Sequence, residues 1–213
     1  MAVTRGQTAV TSGSNSTRSV PSRVVPPVEL PADPDRLARE AAARLGWDGV
    51  VLPHRKLFGR HVSVVARLRS EAHAERIAIG VEPVTDRATV ATWTWPELAA
   101  TAPPTAVRVV GVLAVARHWR TGMAAVVPFA RYGEAAMVLP TSAALSHDYV
   151  DNCLPRARAY GLGVVTAAED ATTELDLASR VDRITLGEDP VSRWINEMAY
   201  EQLLALEAPA PAE

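Results

Sequence analysis

The chain has a single cysteine, Cys153, among its 213 residues. That excludes an intrachain disulfide and any cysteine-built zinc site within one chain, and it fits a reducing cytoplasm. No apolar run approaches the ~20 residues of a membrane span, and the N-terminus lacks the charged start and apolar core of a secretory signal. The expectation is a cytoplasmic protein with no membrane partner. Lysine is almost missing as well: of 22 basic residues only Lys56 is lysine. Together with abundant Ala and Val, this looks like the codon bias of a GC-rich genome, so arginine richness by itself says little about phosphate binding. There is no Walker loop, no Gly-X-Ser-X-Gly and no His-Glu-X-X-His, and Gly161-Leu-Gly163 is too short for a dinucleotide fingerprint.

What is present is enough for one domain: 48% hydrophobic and 22% charged residues over a length that buries a core of ordinary size. The formal charge of −2 hides an asymmetry. Residues 1–160 hold 19 Arg or Lys against 13 Asp or Glu, a net of +6, whereas residues 161–213 hold 3 against 11, a net of −8. A basic body suits nucleic acid; the plainer explanation is a solvated acidic helix at the end.

Residues 1–32 are rich in Ser, Thr, Pro and Gly without hydrophobic period and read as a disordered arm. Asp33-Pro34 opens a helix through Leu37, Ala38, Ala41, Ala42 and Leu45, stopped by Gly46. Strands are expected at Val50–Leu52, His61–Leu68, Arg76–Gly80 and, by its alternation, Asp86–Trp95. A hairpin tip is expected at Phe58-Gly59 and a loop at Ser70–Glu75. Val107–Ala116 is almost continuously apolar, a strand buried on both faces, followed by a short helix through Arg131 and a second strand at Ala135–Leu139. A helix from Ser146 to Ala159, kinked by Pro155, stops at Gly161 before the strand Leu162–Thr166. Residues 33–170 therefore form an α/β domain with a central mixed β-sheet flanked by helices. Residues 171–207 are an acidic extension with an amphipathic helix over 190–206 that starts at Gly187-Glu-Asp-Pro190, and 208–213 a disordered tail.

The element order, with the phrases Phe129-Ala-Arg-Tyr-Gly-Glu-Ala-Ala-Met-Val-Leu-Pro140 and Arg156-Ala-Arg-Ala-Tyr-Gly-Leu-Gly-Val-Val165, resembles the restriction-endonuclease-like, or PD-(D/E)XK, superfamily over roughly residues 33–166. The resemblance implies a site where an Asp and a Glu hold Mg²⁺ and a Lys two residues after the Glu assists the attacking water. It places the Asp at Asp86, but the Glu-X-Lys falls on Leu113-Ala-Val115, which neither bind a cation nor carry charge. The implied protein is a degenerate, non-catalytic copy without metal or other cofactor. Mg²⁺ returns only if the chain is an active nuclease with relocated ligands, for which Glu82 and Glu97 lie closest in sequence to Asp86.

Candidate nucleic-acid contacts are Arg117, His118 and Arg120 after the buried strand, Arg131 at the end of the next helix, and the basic hairpin Arg55, Lys56 and Arg60, where Phe58 is placed to stack a base. Partners on this account are DNA or RNA, or a protein that processes them. A different class of function assigns Trp194, Ile195, Met198 and Leu203 to a docking stripe for a second copy or another protein. Cys153, six residues from His147, is expected to be a buried structural thiol, and Trp93 and Trp95 core or interface residues.

Overall fold

Asp33 caps the first helix, α1 (Pro34–Arg44), by accepting from the Asp35 backbone N–H at 2.9 Å, and Pro34 occupies the first turn. The computed structural model describes residues 28–180 and 189–207. The tail over 208–213, most of the arm and the Gly187-Glu188 start of the last helix lie outside the described residues. Next come β1 (Val50–Val51), β2 (Arg55–Leu57) and β3 (Arg60–Leu68); β1 and β2 pair with β3 in succession, both antiparallel. Phe58 and Gly59 turn the β2–β3 hairpin with φ of 48° and 75°, the positive angles a two-residue hairpin loop demands.

Two expected strands are helices. The stretch 70–80 forms α2 (Ser70–Ala78), so neither the loop at Ser70–Glu75 nor the strand at Arg76–Gly80 exists. Glu, Ala and Arg are strong helix formers, and the Ile-Ala-Ile run is the end of a helix. Gly80 closes it in the left-handed region, φ 67°, with Val81 N–H bonded to the Arg76 carbonyl and Gly80 N–H to that of Ile77. The stretch 86–95 holds α3 (Arg87–Thr92), whose cap is Asp86: its carboxylate accepts from Thr89 N–H at 2.8 Å and from Thr89 Oγ1 at 2.7 Å. The β-branched alternation there was outweighed by this Asp-X-X-Thr capping pair.

The central run follows as β4 (Val107–Val115), α4 (Trp119–Val126) with a 3₁₀ turn to Phe129, β5 (Glu134–Pro140), the short α5 (Thr141–Ala144), a π turn at Tyr149–Cys153 leading into α6 (Leu154–Tyr160), and β6 (Gly163–Ala167). The π turn sits immediately ahead of Pro155, which has no N–H for an α-helical bond. Ser146 Oγ accepts from Tyr149 N–H at 3.2 Å, the expected cap.

Among the described residues the sheet is mixed and seven-stranded, in the order β1-β3-β4-β5-β6-β7, with β2 also on β3. β4, β5 and β6 are parallel; β3 and the last strand, β7 (Thr173–Leu177), are antiparallel to their neighbours. Alternation along the strands divides the interior in two. Leu113, Ala136, Val138 and Val165 meet α1 on one face, whereas Val112, Ala114, Met137, Leu139 and Val164 share the larger core with α4, α6 and the C-terminal helix α7 (Pro190–Glu207). Burial of both faces of β4 holds over Gly111–Ala114 and gives way at Arg108, which is exposed. At Gly111 the indole of Trp47 lies where a Cβ would stand, 2.5 Å from its nearest atom, and its Nε1 donates to Glu134 at 2.9 Å.

Beyond residue 170, the described residues 171–180 and 189–207 pack into this domain. β7 extends the sheet, and α7 starts with a reciprocal cap, Ser192 N–H to Asp189 Oδ1 and Asp189 N–H to Ser192 Oγ, at 2.7 and 2.9 Å. It is fastened by a bidentate pair: Arg76 Nη1 and Nη2 reach the Glu197 carboxylate at 2.6 and 3.0 Å, with side chains 0% and 1% exposed. Val84 N–H also donates to Glu197, and Arg76 donates to the Glu82 carbonyl, so neither charge is left without partners. Glu197→Ala is therefore expected to cost about 3–5 kcal/mol, the usual loss when one member of a buried pair is removed. In urea unfolding the double variant Arg76→Met, Glu197→Leu should lose less than Glu197→Ala. A single-variant loss below about 1 kcal/mol would contradict the assignment.

Candidate functional site

The positions implied for nuclease chemistry are not assembled. Asp86 is exposed and occupied in capping α3, which together with hydrogen bonds from Thr89 lowers its pKa. Leu113 is fully buried against α1, and Val115 is half-buried beside it. The central antiparallel pair, Arg60–Leu68 and Val107–Val115, contains no Asp or Glu at all. Glu82 presents its backbone carbonyl to Arg76, and Glu97 is exposed near the proline-rich connection. Among the described residues no group of three or more His, Cys, Asp and Glu is placed to hold a metal ion.

The expected docking stripe is core. Trp194, Ile195, Met198 and Leu203 are all buried in the larger core, and Trp194 Nε1 donates to the Thr85 carbonyl at 2.8 Å. Helical spacing marks an apolar face without telling which surface covers it. Cys153 is fully buried, and burial, ahead of the nearby Asp148 and Asp176, pushes its thiol up to about 11, the behaviour of a structural cysteine. Trp93 is half-buried beneath Arg193, and Trp95 is exposed.

The basic residues divide into those held by acids and those left over. Arg55 pairs with Glu201 of α7 at 3.5 Å, Arg131 with Asp189 at 3.5 Å, and Arg120 with Asp148 at 3.0 Å. The acidic C-terminal segment thus neutralises part of the basic body. Phe58 is not placed to stack a base, because its ring packs edge-on against Trp194 with centroids 4.9 Å apart, and the Arg87 guanidinium lies 4.6 Å above it. Lys56, Arg60, Arg117 and His118 are exposed and have no ion-pair partner among the described residues.

Arg60 and Arg120 come together with a residue the sequence reading did not single out, Arg156. They line an open groove of about 360 Å³ with Trp119, Met123, Ala124, Val127, Pro128 and Tyr160. The hairpin delivers Arg60. α4 supplies Trp119, Arg120, Met123 and Ala124, and its 3₁₀ extension Val127 and Pro128. α6 presents Arg156 and Tyr160, four residues apart and so on one helix face. Trp119 is only 5% exposed and fixes the groove's end: its Nε1 donates to Asp148 Oδ2 at 2.8 Å, with the Arg120 and Arg156 guanidinium carbons 4.3 and 5.5 Å from its ring centre. Asp148 also accepts from Arg120 and Asn152. These bonds, the indole's first, hold its pKa below the usual carboxylate value, so it stays ionised and orients Arg120. Three guanidinium groups against one carboxylate leave the rim cationic, and Met123, Ala124, Val127 and Pro128 make the lining apolar. The i, i+4 spacing of Arg156 and Tyr160 puts both on one face of α6 without saying which neighbour that face meets.

No family model, curated protein or solved structure matches the chain. No helix among the described residues is long and apolar enough to cross a membrane.

A second polar cluster lies where β2 meets β3. His54 stacks on His61 with ring centroids 5.4 Å apart, and its backbone N–H donates to Asp35 at 2.7 Å. His54 Nδ1 and Ser63 Oγ are buried without a hydrogen-bond partner among the described residues. Burial first, then His61, lowers the His54 pKa from 6.5, against a smaller opposing pull from Asp35 and Asp33. The folded chain holds His54 neutral, whereas the unfolded chain protonates it below pH 6.5. The stability His54 contributes is thus present above that pH and is lost as pH falls toward its lowered folded value. Urea midpoints followed from neutral to mildly acidic pH should fall more steeply for the native protein than for His54→Gln. Parallel curves would contradict this.

Proposed function

We propose that the chain is a non-catalytic α/β module, akin in topology to restriction-endonuclease-like domains, that binds nucleic acid through the groove between α4 and α6. The observation that carries the reading is the convergence of Arg60, Arg120 and Arg156, from three separate elements, on one open depression. Guanidinium groups suit phosphate because they are permanently charged and offer paired donors. Arg117 and His118, exposed just ahead of α4, extend the basic surface. The run β4–α4–β5–α6–β6 supports the suggested kinship. Leu113 and Val115 in the apolar layer, and the absence of any acid on β3 or β4, support a module that holds a strand without cutting it.

Fluorescence anisotropy with DNA and RNA at increasing salt tests this. The native protein should bind at low salt and weaken linearly in log–log form. Arg60→Ala and Arg156→Ala should each reduce the slope by about 0.7–0.9, the counterion release of one phosphate contact. No binding of either nucleic acid at low salt would refute the reading. Incubation with Mg²⁺ or Mn²⁺ should leave the strands intact, and cleavage abolished by Asp86→Ala would refute its non-catalytic part.

A further inference from the structure

We infer that the groove accommodates one unpaired nucleotide of a single strand, with the base against Tyr160 and the apolar lining and the flanking phosphates on Arg60 and Arg156; this rests on the nucleic-acid reading above. Three features select an unpaired base over a duplex. The first is size: about 360 Å³ lies at the lower end of small-ligand pockets, roughly 300–1,000 Å³, the scale of one nucleotide unit, so a duplex would lie across the open groove without entering it. The second is chemistry. A duplex presents charged phosphates and sugars to a protein surface, which gain nothing from Met123, Ala124, Val127 and Pro128, whereas an unstacked base offers an apolar face to them.

The third is the state of the aromatics. Trp119 is almost fully buried and already covered by guanidinium, whereas Tyr160 is 55% exposed, one turn along α6 from Arg156. A ring and a cation on the same helix face are the two groups needed to hold a base and its phosphate. Arg120 is tied to Asp148 and sets the position of the groove's end. Arg60 and Arg156 have no ion-pair partner among the described residues, so phosphate binding breaks no existing pair.

The experiment compares a labelled oligothymidylate with the same strand annealed to oligodeoxyadenylate, using full-length native protein, Tyr160→Ala, Tyr160→Phe and Arg156→Ala. The single strand should bind more tightly than the duplex. Tyr160→Ala should weaken single-strand binding about tenfold, the order of one lost base–aromatic stack, with its salt slope unchanged, whereas Tyr160→Phe keeps the native affinity and Arg156→Ala lowers the slope. Duplex binding equal to or tighter than single-strand binding, or a Tyr160→Ala protein with native single-strand affinity, overturns the inference and leaves nucleic-acid binding standing. Failure of both forms to bind overturns the inference, and if oligouridylate at low salt also stays unbound, the nucleic-acid reading falls with it.

Discussion

A guanidinium and a carboxylate sealed from water, Arg76 and Glu197, fix how the two ends of this domain meet. Transferring either ion alone out of water costs several kcal/mol, so each is tolerable only while the other is in place and its remaining donors and acceptors are met. Here they are: two parallel bonds join the pair, and backbone groups of Glu82 and Val84 take up further bonding capacity. This arrangement holds α7 against α2 and the connection after it, and α7 in turn closes the larger core with Trp194, Ile195, Met198 and Leu203. Once α7 is seated there, Glu201 and Asp189 lie beside Arg55 and Arg131. Part of the charge imbalance along the sequence is thereby cancelled in space.

Among the cations outside ion pairs, Arg60 and Arg156 are brought together in one groove. Among the described residues α1 is the helix on one face of the parallel strands, whereas α4 and α6 lie on the other beside the hairpin that brings Arg60. The groove between them combines an apolar lining with a cationic rim. Asp148 gathers Trp119, Arg120 and Asn152 at one end, so part of the rim is held in place before any ligand arrives. Preorganisation of this kind lowers the entropy lost on binding.

Much of the framework was legible where local chemistry and burial agree. Asp33-Pro34, the Phe58-Gly59 tip, the apolar β4 and the Gly161 stop each have one favourable local solution, and the fold adopts it. Legibility failed where local signals compete. Ile77-Ala78-Ile79 looks like a strand in isolation, but the Ala- and Glu-rich turns before it had already committed the chain to a helix. Thr89 and Thr92 suggested alternation until Asp86 capped their helix. β7 alternates Thr, Glu, Leu, Asp and Leu and exposes most of its side chains at the edge of the sheet, so its pattern is weak. Of the site, Arg60 and Arg120 were visible because basic residues cluster around turns; Arg156 and Tyr160 joined them only through the packing of α6, which no sequence spacing specifies. The apolar face of α7 was read correctly as apolar and wrongly as external, since amphipathicity gives a helix a side without naming its neighbour.

The most direct test of the central claim is amide chemical-shift mapping of the full chain titrated with a short single-stranded oligonucleotide. The account predicts perturbations concentrated at Arg60, along Trp119–Val127 and at Arg156–Tyr160, with α1 unaffected. Perturbations confined to the α1 face or to the β7 edge, or none at saturating oligonucleotide, would contradict it.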